Sequence, residues 1–161
     1  MNFPMQKRGL SITRTYPVAP ELVFAAWTDP KQLGWFFNPG QPVDEAPEVD
    51  LRVGGAWRQR MIERPGKSYM TGGIYREIDP PRRLVFNFGA VGGWPDLSNG
   101  LENALLVTIV FNRVPEGTEM LCTLDVPAHV SDAEAKAWFD MGIEAGWTQT
   151  VDRLQLSAAG T

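Results

Sequence analysis

The chain has 161 residues, a net charge of −4, a pI near 5.0, one cysteine and one histidine. At this length a single domain can bury roughly 68–70% of its unfolded surface, and a 43% hydrophobic content with six tryptophans excludes a disordered chain. The acidic balance provides no drive toward nucleic acid or anionic membranes, and neither is expected as a partner.

Residues 1–10 lack the apolar core of a signal peptide, and no apolar run approaches the ~18 residues of a membrane span, so the expected location is cytoplasmic. One Cys and one His exclude an internal disulfide, the usual zinc sites and any catalytic triad not built on His129. No metal or cofactor is expected. Cys122, within "MLCTL", fits a small buried apolar residue, and His129, within "DVPAHVSD", a solvated or capping one.

In chain order, residues 8–16 alternate as a first strand. A helix then starts near Pro20 and breaks at Asp29-Pro30, with Val23, Phe24 and Trp27 on its apolar face. "PKQLGWFF" predicts a short second helix whose apolar residues are Leu33, Trp35 and Phe36. From 43 to 127 the period becomes two, giving strands at about 43–51, 55–63, 69–79, 82–89, 103–113 and 118–126. Short Gly/Pro connections make neighbours antiparallel, and one long loop, "AVGGWPDLSNGL", interrupts them. A closing helix over about 131–158 begins with Ser131 and Glu134 in a capping-box pattern. Its second half places Ile143, Trp147, Val151, Leu154 and Ala158 on one face. The order is one strand, two short helices, six strands and a long helix, an α+β domain over residues 8–158 with short tails. A bent sheet gripping the last helix is its compact solution.

Four segments in this order, "APELVFAAWTDPKQLGWFF", "VDLRVGGAWRQRM", "GGIYREIDPPRRLVFNF" and "GWTQTVDRL", resemble the AHSA1-like (activator of Hsp90 ATPase homologue 1-like) branch of the START-like, or SRPBCC, superfamily. The resemblance implies a helix-grip fold with a largely apolar cavity between sheet and C-terminal helix. It implies binding of a small apolar or amphipathic ligand, with no catalysis required. The alternatives are an Hsp90-type chaperone partner or a cyclase- or dehydratase-type enzyme. The co-chaperone's full activity needs a second, N-terminal domain, for which this chain is expected to have no room. Many relatives carry a histidine three residues before the Gly-Trp pair; Ile143 stands there in this chain, so chemistry leaning on that imidazole is expected to be absent. A homodimer through a sheet edge or the Trp94 loop is compatible with the sequence.

Strand parity gives the candidate lining. Trp57, Gln59 and Met61 are the inward set of their strand, because the opposite set holds Arg58 and Arg60. Leu84, Phe86 and Phe88 share a face, as do Leu105, Val107, Ile109 and Phe111. On "GGIYRE" two parities compete: Ile74 with Ile78, or Gly73, Tyr75 and Glu77. The second places a phenol and a carboxylate inside, where desolvation makes Glu77 an acid–base candidate. Phe24, Trp27 and Phe36 complete the aromatic walls, and Trp94 either covers the cavity mouth or packs at an edge. Gly142, Ala145 and Gly146 either pack the last helix closely on the sheet or leave volume for a ligand beneath Met141. The second reading makes Gly142→Leu nearly neutral for stability.

Overall fold

A computed structural model describes residues 8–29, 31–32, 48–64, 66–90, 104–140 and 142–156, with side chains omitted for 61–64, 67–70 and 90. The first strand, β1 (Gly9–Tyr16), leads into α1 (Pro20–Thr28). Pro20 suits the first helical turn, where its missing N–H would have no partner. Asp29 ends the helix with extended backbone (ψ 117°), the conformation favoured before proline. Its carboxylate accepts the Lys31 N–H at 2.9 Å, so the predicted break is made by a local turn. Residues 31–32 form a short 3₁₀ piece, and the rest of the expected second helix, with Phe36, lies outside the described residues.

Six further strands follow: β2 (Glu48–Val49), β3 (Ala56–Arg64), β4 (Lys67–Asp79), β5 (Arg83–Ala90), β6 (Leu105–Val114) and β7 (Gly117–Asp125). They pair antiparallel in the order β1-β7-β6-β5-β4-β3-β2, one curved seven-stranded sheet. Of the expected strand over 43–51, residues 43–47 lie outside the described residues; Glu48–Val49 form β2, and the strand ends there because the chain turns from Asp50 onward. Arg52 N–H donates to the Asp50 carbonyl and Gly55 N–H to that of Arg52, each at 2.8 Å. Leu10, Ile12, Leu84, Val107, Ile109, Met120, Cys122 and Leu124 build the core on one face of the sheet, as period-two alternation predicts. Cys122 is fully buried there and His129 is exposed.

The closing helix differs most from its expectation. It is two helices, α2 (Asp132–Asp140) and α3 (Ile143–Asp152). Ser131 Oγ accepts the Glu134 N–H at 3.2 Å, the predicted cap of α2. The break falls at Gly142, whose φ of 96° is left-handed backbone. Gly142 N–H donates to the Phe139 carbonyl at 3.0 Å, closing α2, and its own carbonyl accepts Gly146 N–H at 2.9 Å, opening α3. Gly142 is therefore a joint between helices, not an interior glycine. Ile143, Trp147, Val151 and Leu154 are buried on the predicted face. No described helix is long and apolar enough to cross a membrane.

Two outcomes follow for stability. A methyl at Gly142 meets open space, so only backbone strain opposes it. Gly142→Ala should cost about 1–2 kcal/mol in urea unfolding, with Gly142→Asn costing less and Gly142→Leu no longer neutral. Burial pushes the Cys122 thiol from 9.0 up to about 12. Stability is unaffected by this group below pH 9 and falls as pH rises toward 12, because only the unfolded chain releases the proton there. The slope is about 1.4 kcal/mol per pH unit for one group. Urea unfolding of Cys122→Ala across that window should show a slope shallower by that amount.

Candidate functional site

The site is the inner face of β3, β4 and β5 where α3 passes over it. Its geometry starts from a glycine. Gly73 on β4 pairs with Trp57 on β3, and the Trp57 indole lies across the bare backbone. Trp57 Nε1 donates to the Asn87 carbonyl of β5 at 3.1 Å, so one side chain spans three strands. A methyl at Gly73 would collide with that carbonyl oxygen and stand 2.9 Å from Trp57 Nε1.

Aromatic rings continue from this point. Phe86 meets Trp57 edge-on at 5.5 Å and Tyr75 at 6.4 Å, and Phe88 stacks beside Trp57 at 6.1 Å. Trp147 of α3 reaches Phe88 at 5.0 Å, edge to face. From the other end of the sheet Trp27 approaches Phe86 at 6.2 Å and donates from Nε1 to Met120 Sδ at 3.2 Å. Phe24 packs edge-on against Phe111 at 5.5 Å. Such tilted and edge-to-face pairs suit the ring quadrupoles.

The backbone of α3 lies against β1 and α2, and Arg14 of β1 holds Asp152 of α3 at 2.8 Å. Toward β5 the interval is crossed by the Trp147 side chain instead. Trp147 is the site residue that parity reasoning left out, although its phase with Ile143 and Val151 already placed it on the buried face.

Three polar side chains share this apolar face. Thr71 Oγ1 donates to the Gly89 carbonyl at 2.6 Å. Gln59 is 3% exposed, on the inward face predicted for it. Tyr75 is also 3% exposed, and desolvation alone raises its phenol above the usual range, leaving a neutral hydroxyl. Tyr16, near the C-terminal end of α3, is likewise pushed up to about 12, chiefly by burial, and its hydroxyl has no hydrogen-bond partner among the described residues.

The two parities proposed for β4 are both realised, on either side of a bulge. Tyr75 pairs with Phe86 but Glu77 pairs with Val85, so one residue is inserted between them. Tyr75 therefore points in, and Ile78 packs against the core beyond the bulge. Glu77 does not face the interior. Its side chain is 48% exposed and ion-paired with Arg83 at 2.9 Å, which removes the carboxylate from any acid–base role beside Tyr75. Ala145 and Gly146 are exposed as well, so they leave no volume beneath the helix. The side chain of Met61, and Phe36, Trp94 and Met141, lie outside the described residues. Among the described residues no group of His, Cys, Asp or Glu is arranged to hold a metal.

Residues 17–158 match the family described as Activator of Hsp90 ATPase homolog 1-like protein. A Rhodobacter sphaeroides protein solved by structural genomics is similar at 23% identity and a TM-score of 0.71, covering 94% of this chain and 91% of that one. Protein Ms6760 from Mycobacterium smegmatis is 20% identical with a TM-score of 0.70, over 94% and 91% of the two chains. SA2116 from Staphylococcus aureus, a protein of unknown function, is 23% identical with a TM-score of 0.67, over 90% and 89%. At these identities the likeness is one of fold. No curated protein matches the chain.

Gly73→Ala tests the keystone of this face. The added methyl must displace the Asn87 backbone or the Trp57 ring, and overpacking of this kind costs about 1–3 kcal/mol. The expected result is a lower thermal midpoint with a red-shifted tryptophan emission; an unchanged midpoint would show the indole is not held there.

Proposed function

The chain belongs to the activator of Hsp90 ATPase homologue 1-like family, and from that premise we propose that it binds a small apolar or amphipathic molecule between α3 and the inner face of β3–β5. One observation carries the reading: Tyr75 and Gln59, each 3% exposed, share the inner face with the packed rings of Trp57, Phe86 and Phe88, against which Trp147 rests. Small-molecule sites have this character, mostly apolar and aromatic walls with a few fixed polar groups that orient the ligand. The support at α3 is consistent with access from that side. Its C-terminal end is fixed to β1 through Arg14 and Asp152, while Trp147 meets Phe88 of β5.

Binding on this face requires no chemistry from the protein. The walls remove apolar surface from water, at about 25 cal/mol per Å², and the polar groups select orientation.

Native mass spectrometry of the purified protein should reveal a non-covalent small-molecule adduct. A thermal-shift panel of lipids, aromatics and polyketide-like compounds should raise the midpoint for at least one class. Phe88→Leu, which removes the ring that meets both Trp57 and Trp147, should weaken the best compound about fivefold. No adduct and no stabilising compound across the panel would overturn the proposal.

A further inference from the structure

The outer face of the sheet plays no part in the site described above, yet it is not the polar surface expected of the uncovered side of an antiparallel sheet. Leu106 and Val110 of β6, Leu121 of β7 and Val85 of β5 alternate with core residues and point away from them. Val110 and Leu121 are direct cross-strand partners, and in the next row Thr108 lies between Thr123 and Val85. Val85 is buried and the three others are half-buried. A strip of aliphatic side chains and threonines therefore crosses the middle of this face.

Charge is divided across the strip. On the β7 side Glu119 and Asp125 are exposed, beside the exposed and uncharged Ser11, Thr13 and Thr15 of β1. On the opposite side Arg58 and Arg76 are exposed and Arg60 is half-buried. Arg58 lies across Gly72, where a methyl would stand 3.2 Å from its Cγ. Glu48 of β2 is the cross-strand partner of Arg58, and Glu77 is held by Arg83, so the described side chains leave this side net positive.

One row carries the pattern in full. Asp125, Leu106 and Asn87 are aligned across β7, β6 and β5. Arg76 Nε donates to the Asn87 side chain at 2.6 Å, which brings a guanidinium to the far end. The row runs from an anion through an aliphatic side chain to a cation, over three strand spacings or about 14 Å. Such a row is complementary to its own copy. A two-fold axis parallel to the strands, between β5 and β6, exchanges the β7 and β4 sides. It sets Asp125 of each protomer against Arg76 of the other, with the aliphatic strips between. The contact is isologous and closes at two copies, with opposite charges matched at both ends. An acidic macromolecule would instead meet Glu119 and Asp125 along with the arginines.

From this self-complementary pattern we infer that the protein forms a reversible homodimer through the outer face of β4–β7. The interface is independent of the binding function proposed above and leaves the inner face free. The curved sheet limits contact to its central strands, which places the dimer in the small, transient class, with a dissociation constant of about 10–100 µM.

Sedimentation velocity of the full chain from about 5 to about 500 µM should show a monomer converting to a dimer. Raising the salt to about 0.5 M should weaken association about threefold or more. Asp125→Arg and Arg76→Asp should each abolish the dimer, and mixing the two variants in equal amounts should restore it, because the mixed pair again opposes unlike charges at both ends. Leu106→Lys, at the centre of the strip, should also abolish it and keeps the test decisive should Arg76→Asp fold poorly. A wild-type chain that stays monomeric at the highest concentration would overturn the proposal. So would a dimer that survives Asp125→Arg and Leu106→Lys, or two folded charge-reversal variants whose mixture remains monomeric.

Discussion

The Trp57 indole lying across Gly73 and bonded to the Asn87 carbonyl is the constraint on which the inner face depends. One ring bridges β3 to β5 because the strand between them has no side chain to interrupt it. The indole N–H, which would be costly to bury unpaired, is satisfied by a backbone oxygen. Fixing Trp57 in turn fixes the positions open to Phe86 and Phe88, and Phe88 determines where Trp147 can rest. The path from a glycine in one strand to the seat of the closing helix is thus a chain of packed rings.

That helix is held asymmetrically. Beside β1 its attachment is electrostatic and close, through Arg14 and Asp152, whose side chains are 37% and 55% exposed. A pair so exposed contributes at most about 1 kcal/mol, so its role is to fix position more than to stabilise. Toward β5 the attachment is apolar, with Trp147 on Phe88 and Ile143 and Val151 buried in the same core. The joint at Gly142 permits this arrangement, because it lets α3 take its own direction independently of α2. Arg8, meanwhile, fixes the start of α2 by bonding to the Pro127 and Val130 carbonyls.

Most of the fold was legible in the sequence because period-two alternation marks a sheet buried on one side. Leu84, Phe86 and Phe88, and the Leu105 to Phe111 set, fell on the face where the structure has them. The phase of Ile143, Trp147 and Val151 was equally clear. What escaped was geometry that no periodicity encodes. Gly142 and Gly146 have the same spacing whether a helix continues or bends, and only the left-handed φ of Gly142 distinguishes the two. Ala145 is exposed for a related reason: α3 restarts at Ile143 and buries its own face through Ile143, Trp147 and Val151. The β4 bulge was illegible for a related reason. A single strand shows an ambiguous alternation, and the inserted residue becomes visible only against the register of β5.

The bulge also explains how β4 keeps the Tyr75 hydroxyl on the inner face while Glu77 leaves it. In regular alternation Tyr75 and Glu77 would share one face, and a buried carboxylate there would demand a cation or remain protonated. With one residue inserted between them, the strand turns Glu77 outward into water and onto Arg83, while Ile78 supplies the next apolar contact to the core. Arg76, the residue between Tyr75 and Glu77, goes to the outer face and bonds to Asn87, the same residue whose carbonyl anchors Trp57 inside. Asn87 therefore couples the two faces: its side chain receives the cation outside and its backbone receives the indole inside. The outward placing of Glu77 follows from where the strand is irregular as much as from which residues it contains.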